Sequence, residues 1–565
     1  MPPVSADPEN RRSLFAHRVV FACAILLYLA LALPQLGAPG LHYDEAKEAG
    51  VNAMQLLQGQ PVQVFRDSGV RIGSVLLPLM VQDYIGALNV YLALPLLALF
   101  GVTVPALRLL GLLAGLATLL LTRQLGCDLG RRLRGSSDAG WSGEIAALFL
   151  AVSPTFVFWS RQGIFVTNVT ATLAVAAVLL ALRWQRSRSL RLLLLLAAVA
   201  GLGLWSKLLF LWVLGALSGA AALAWLLRER SARGLRGPVR GWHLAAALLV
   251  FAVALSPLLL FNLQSAGTLR SVLGNAGQSY YGVQNSAFTI NFLTRLAQLG
   301  TLLRGDHLWY LGESTANRWS PLLAAGMLVT ALLFGAALPA VRRVLWPAAL
   351  FVLLLVVQSS FTVSDLFITH FAVMQPFVLL LAALAADSLL WRGARAALPR
   401  WRTVLVLPVL LALLLWIGAD ARNSVRYHRV LARSGGLASH SDAIERLAGW
   451  LDQRAVQQPL MLDWGIEAQV RYLTLNRVQP LEIFGYARLD APDADFAERA
   501  AQFIRDTSRL YVVRMPEQAV FQGRSDALQQ LAAEYAMKLV IRDAIYDRSG
   551  TVMYVLLATE PVGSP

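Results

Sequence analysis

Residues 167–207 read TNVTATLAVAAVLLALRWQRSRSLRLLLLLAAVAGLGLWSK. Two apolar runs, 166–182 and 192–205, flank a short turn that holds Arg183, Arg186, Arg188 and Arg191. A helix needs roughly 20 apolar residues to cross about 30 Å of hydrocarbon. In hydrocarbon each backbone N–H and C=O must bond within its own segment, so the pair predicts a helical membrane hairpin. Arginine and lysine concentrate in short cytoplasmic loops. The arginine turn therefore points to the cytoplasm, and Lys207 falls at the outer edge.

Working outward, the same alternation predicts about eleven spans: 19–36, 104–121, 143–159, 166–182, 192–205, 208–227, 243–263, 320–338, 344–361, 367–390 and 403–419. Hydrophobic residues make up 57% and charged ones 15% of the 565 residues, against about 45–50% and 25% in soluble domains. With the N-terminus inside, the six inner segments hold 22 lysines and arginines, and the outer loops before residue 420 hold nine. An odd span count places the C-terminal region outside. Basic residues ahead of the first apolar run also fit a signal peptide, whose cleavage would leave this orientation unchanged. The net charge of +16 is thus a topology signal, and no nucleic-acid partner is expected. Cys23 and Cys127 fall on opposite sides, so no disulfide is expected.

The expected organisation is a transmembrane module, 1–420, with long outer loops at 37–103 and 264–319, and an exoplasmic α/β domain at 421–565. Periodicity predicts helices at 44–57 and 87–101 in the first loop. In the C-terminal domain it predicts helices at 440–454, 494–506 and 524–537. Strands are predicted at 459–464, 478–484 and 509–514, with a hairpin over 538–558 around Arg548-Ser549-Gly550. The fold class is a polytopic α-helical membrane protein with a C-terminal soluble α/β domain.

Ionisable residues at a membrane edge are costly and mark functional candidates. His42-Tyr43-Asp44-Glu45 follows the first span. Adjacent carboxylates diverge by about 100° on a helix, so one can act as a base while the other caps the helix or touches a ligand. An N-cap is the ordinary alternative. Arg161, Lys207 and His370 sit at three other outer edges. Snorkelling is the ordinary role for the first two, and structural hydrogen bonding for the histidine. Only Lys47, Lys207 and Lys538 interrupt a basic complement that is otherwise all arginine, so a lysine retained at the outer edge is singled out. One carboxylate and several cations suit transfer from an anionic donor: a departing phosphate needs cations, and an acceptor hydroxyl needs a base. Asp83, Tyr84, Tyr280 and Tyr281 on the long loops are candidate substrate contacts. Asp44, Glu45 and Asp83 share one loop, and carboxylates suit a divalent metal, but no recognised ligand spacing is present; no cofactor is expected to be required. Asp463-Trp464-Gly465 offers an aromatic face for a sugar, with a packed core tryptophan as the ordinary alternative.

Over residues 15–420 the chain resembles the GT-C membrane glycosyltransferases, specifically glycosyltransferase family 39 with its protein O-mannosyltransferases and bacterial aminoarabinose transferases. Four landmarks carry the resemblance, in order: Asp44-Glu45; Phe100-Gly101 with Arg108; Ser153-Pro154 with Ser160-Arg161; and Gly201 to Lys207. The chain departs from the family at Gln82-Asp83-Tyr84, where many members carry a basic residue and two prolines. It departs again at Asn168, where many have an acid. His370 and Pro376 match a further landmark loosely. The resemblance implies a polyprenyl-phosphate-linked sugar donor, a glycan, lipid or protein acceptor, surrounding membrane lipids, work on the exoplasmic face of the plasma membrane, and Asp44 as base. The site expected is Asp44 and Glu45 as catalytic residues, with Arg161, Lys207 and His370 on the donor phosphate. A transporter or flippase of a lipid-linked substrate is the alternative, although the repeated halves usual in that class are not visible.

Overall fold

A computed structural model describes residues 8–162, 167–227, 240–336, 338–395 and 399–563. Arginines 228, 230, 233 and 236, part of the expected inner loops, lie outside the described residues. Among those described, seven helices are long and apolar enough to cross a membrane: Phe15–Ala32, Val104–Arg134, Thr167–Ser187, Gly241–Ser265, Pro339–Ser359, Gln375–Ala394 and Val406–Ser434. Ser142–Val152 and Pro154–Arg161 are a pair bent by 65° at the break, which counts as an eighth if taken as one span. The bend has a local cause: Ser153, with ψ 119°, is driven out of helical geometry by the following proline. Leu190–Ser206, Phe210–Leu226 and Trp319–Gly335 are shorter apolar helices at the three remaining expected positions. The protein is a multi-pass helical membrane protein.

Two expected boundaries move. The tenth expected span, 367–390, begins as a helix only at Gln375, because Ile368–Val373 is a 3-10 segment that carries His370. The last helix runs from Pro399 to Ser434, so the C-terminal domain starts after residue 434 rather than at 421. Helix propensity continues beyond the apolar part, and composition marks where hydrocarbon ends, not where a helix ends.

The first long loop folds as two helical segments joined by short hairpins. Tyr43–Glu45 leads through a π-helical turn, Ala46–Gly50, into Val51–Leu57. Strands Gly69–Ile72 and Val75–Pro78 pair antiparallel, as do Met80–Gln82 and Ile85–Gly86. Leu88–Phe100 follows, with Pro95 inside it. The second loop adds the helix Phe288–Arg304, which the sequence reading did not separate from the loop.

The C-terminal domain is a five-stranded mixed sheet in the order Leu481–Glu482, Leu460–Met461, Tyr511–Val513, Val552–Pro561 and Met537–Tyr546. The first three strands run parallel and the last two join antiparallel. Alternate side chains point to opposite faces. Val512 packs with Leu447 and Leu451 on one face, while Tyr511 and Val513 pack with Leu528 and Leu531 on the other. A short helix unexpected from sequence, Glu467–Leu473, docks its Ala468 and Tyr472 into the core of the first loop. The two long loops and this domain therefore share one end of the bundle.

Candidate active site

The site starts from one helical turn. His42 caps it: its Nδ1 accepts from the Asp44 N–H at 3.2 Å, and its own N–H donates to Glu45 Oε1 at 3.3 Å. Burial, together with Arg514 and Arg108, pushes the His42 pKa down to about 3, so the ring stays neutral and its Nδ1 remains an acceptor. The ring stacks on His440 at 4.3 Å, and His440 stacks on Tyr310 at 4.1 Å. This column ties the first loop to the second loop and the C-terminal domain.

Past the cap, the two neighbouring carboxylates separate. Glu45 receives both arms of Arg108, Nε to Oε2 and Nη2 to Oε1, each at 2.9 Å. Arg108 also donates to the carbonyls of Leu36 and Gly40 at 3.0 and 3.2 Å. Both Glu45 oxygens are thus occupied in a buried ion pair that holds the loop, unlike those of Asp44, beside which it was expected to act. Asp44 stands outside that pair: its Oδ2 lies 3.8 Å from His42 Nδ1, its side chain is 16% exposed, and it interacts electrostatically with Lys207. Burial pushes its pKa from 3.8 to about 7 against the opposing pull of Lys207.

Glu48 joins Asp44 against the same lysine. It is buried, and Gln82 Nε2 donates to its Oε1 at 3.4 Å. Its Oε2 has no hydrogen-bond partner among the described residues. Burial and Asp44 hold its pKa well above the usual carboxylate range. The sequence reading missed Glu48. The available signal was its spacing: four residues after Asp44 lies on the same helical face.

Lys207 reaches the site from the turn after Leu190–Ser206, where its Nζ donates to Thr167 Oγ1 at 3.2 Å. The turn is held to the first loop by a bridge between Ile85 and Lys207 and by the Leu208 N–H to the Tyr84 carbonyl at 2.9 Å. Gly86 permits this approach, since a Cβ there would come within 1.9 Å of the Trp205 carbonyl oxygen.

Of the remaining expected residues, some converge and some do not. Tyr84 and Tyr281 interact electrostatically with Asp44, and Tyr84 with Glu48 as well. Tyr280 is 64% exposed and supports Tyr281 edge-on at 5.3 Å. His370 is close enough to Lys207 to interact with it, and its Nδ1 faces Arg295 Nη2 at 3.5 Å. Arg295, which the sequence reading passed over, is buried and holds the carbonyls of Ser359 and Phe367 at 2.8 and 3.0 Å. Arg161 is not brought to Asp44. It donates to the carbonyls of Ala32 and Pro34 and so ties down the end of the first span. That placement uses its Nε and Nη2 and leaves its Nη1 without a hydrogen-bond partner among the described residues. Asp83 is turned to Arg66, in a two-armed pair at 2.6 and 2.7 Å. Trp464 packs against Tyr43 at 4.8 Å. Among the described residues no three His, Cys, Asp or Glu side chains converge as a metal site.

The assembled geometry can be compared with known proteins. No family model matches the chain, and no curated protein matches it in sequence. Solved structures do. The crystal structure of ArnT from Cupriavidus metallidurans in the apo state superposes with a TM-score of 0.58 over 97% of this chain and 98% of that one, at 14% identity. The chain shares the fold of ArnT. The same protein bound to undecaprenyl phosphate matches with a TM-score of 0.56, also at 14% identity, over 97% of this chain and 98% of that one. The ArnT fold includes both regions found here, the helical membrane part and the C-terminal domain, because the match covers nearly the whole of each chain.

Proposed function

We propose that this protein is an inverting glycosyltransferase that moves a sugar from a polyprenyl-phosphate donor to a hydroxyl acceptor at the exoplasmic face. The observation that carries the reading is a largely buried Asp44 that, with Glu48, interacts electrostatically with Lys207. The ArnT likeness, which includes a structure with undecaprenyl phosphate bound, supports it.

In this reaction Asp44 accepts the proton of the acceptor hydroxyl as that oxygen attacks the anomeric carbon. The bond from that carbon to the donor phosphate breaks on the opposite face, and the phosphate leaves with the electron pair. A pKa of about 7 suits a base at neutral pH, since it is ionised often enough and still basic enough to take a proton. Lys207 is a compact point charge suited to the growing negative charge on the leaving phosphate, with His370 beside it. Tyr84 and Tyr281 flank the base and offer hydroxyls to the sugar. No metal is assigned to any step.

The test is a mass-spectrometric comparison of cell-envelope glycans in cells with the gene, without it, and with Asp44→Asn. The expected outcome is a sugar modification lost in the null and not restored by Asp44→Asn, although the variant is inserted at wild-type level. An unchanged profile in the null, or full restoration by the variant, overturns the proposal.

A further inference from the structure

The end of the bundle away from Asp44 contains a cavity of about 340 Å³, within the size range of small-molecule sites, about 300–1,000 Å³. Val104–Arg134, Thr167–Ser187 and Gln375–Ala394 line it, together with Phe210–Leu226 and Pro339–Ser359. Nearer the Asp44 end these last two helices touch closely: a Cβ on Gly215 would meet Gln358 at 2.3 Å, and one on Gly219 would meet Leu354 at 2.4 Å. Small residues permit such approach in membrane helices. Further along, alanines 220, 221, 224 and 348 face the cleft and are too short to fill it.

The lining is apolar along its depth and basic at its mouth. Leu125 to Arg132 on one helix spans about 10 Å, and Arg343 to Val352 on another about 13 Å, at 1.5 Å per residue. One leaflet of hydrocarbon is about 15 Å deep, half of about 30 Å. Arg132, Arg343, Gln185 and Trp184 line the cavity at the helix ends. Arg132 donates to the Leu182 carbonyl at 2.9 Å and to Gln185 Oε1 at 3.3 Å, so its guanidinium is held at the rim. Basic pockets between membrane helices suit anionic headgroups, and tryptophan favours the headgroup level.

We propose that this cavity binds an anionic phospholipid, with an acyl chain in the alanine-lined cleft and the phosphate at Arg132 and Arg343. The site is separate from the Asp44 cluster and does not depend on the glycosyltransferase reading. Water would leave the cleft's apolar wall unfavourably hydrated, whereas a hydrocarbon chain restores the missing contacts. A zwitterionic headgroup would gain less from the two guanidinium groups.

The test uses full-length protein in phosphatidylcholine vesicles with trace spin-labelled phosphatidylglycerol or spin-labelled phosphatidylcholine. Electron paramagnetic resonance reads the immobilised fraction of each label. Wild type is expected to prefer phosphatidylglycerol by about five-fold, as a charge-complementary site requires. Arg132→Gln with Arg343→Gln should bring the preference near parity. Ala348→Phe should lower the immobilised fraction of both labels; if that variant does not fold, Ala221→Phe on the facing helix reads the same cavity. No preference in wild type, or unchanged immobilisation in a folded Phe variant, overturns the proposal. Competition by undecaprenyl phosphate but not by unlabelled phosphatidylglycerol also overturns it, assigning the cavity to a polyprenyl lipid instead.

Discussion

Asp44 and Glu45 are consecutive in the chain and opposite in fate. Glu45 faces Arg108 and closes a buried ion pair that also captures two carbonyls of the first loop. Asp44 faces Lys207 in company with Glu48, so two carboxylates share one cation. The first arrangement has matched charges and filled hydrogen bonds, which suits a fixed anchor. The second has an excess of carboxyl groups and an unsatisfied oxygen on Glu48, which suits a group that must exchange protons. Neighbouring acids thus differ because one residue of helix rotation presents each to a different cation.

The largest effect that would break this contrast is on the anchor side. Arg108→Gln leaves Glu45 buried without its partner, and a loss of about 3–5 kcal/mol in stability is expected, read by thermal unfolding in detergent. Asp44→Asn should leave that melting temperature at or above wild type. Should both variants melt alike, the division into anchor and base fails.

On the Asp44 side, Lys207→Gln should lower kcat/KM by about 10²–10³, the range for loss of one charge-stabilising group at a transition state. It should also move the acid limb of the rate profile upward, because Lys207 pulls the Asp44 pKa down. In the wild type that limb should lie near pH 7, with activity rising as Asp44 loses its proton.

The same shift sets a stability trend. The folded protein holds the Asp44 proton up to about pH 7, while an exposed aspartate loses it near 3.8. Stability therefore declines as pH rises from about 4 to about 7, where the native state binds the extra proton. Asp44→Asn should remove this part of the decline in a melting-temperature series.

Smaller still is the effect expected at Glu48. Burial and Asp44 raise its pKa, and Glu48→Gln keeps the shape of its protonated form, so activity should stay within about ten-fold of wild type. A loss as deep as that of Asp44→Asn would move the base from Asp44 to the pair. Smallest is Asp83→Asn, which breaks a pair whose arginine is 46% exposed; less than about 1 kcal/mol is expected.

Much of the fold was legible because its signals are local. Hydrocarbon length and the arginine bias marked the spans, and the periods of the C-terminal domain marked three of its helices, its strands and its hairpin. The site was legible in part. Asp44, Lys207, Tyr84, Tyr281 and His370 could be singled out as polar groups at costly outer positions, and the structure brings them together. Glu45 and Arg161 look equivalent to them by the same criterion, and the structure sets Glu45 against Arg108 and Arg161 against the carbonyls of Ala32 and Pro34. Burial cost alone does not say whether a charge meets a substrate or a backbone carbonyl.

The sequence by itself determined that this chain spans a membrane many times, which groups gather at one edge, and that a mixed α/β domain follows. These rest on composition and period, which act over about 20 residues. Only the tertiary structure decided which cation each acid meets. Arg108 lies 63 residues from Glu45, and Lys207 comes to Asp44 from a distant turn, through an approach that Gly86 allows. Such pairings follow from how the loops pack, and no local pattern encodes them.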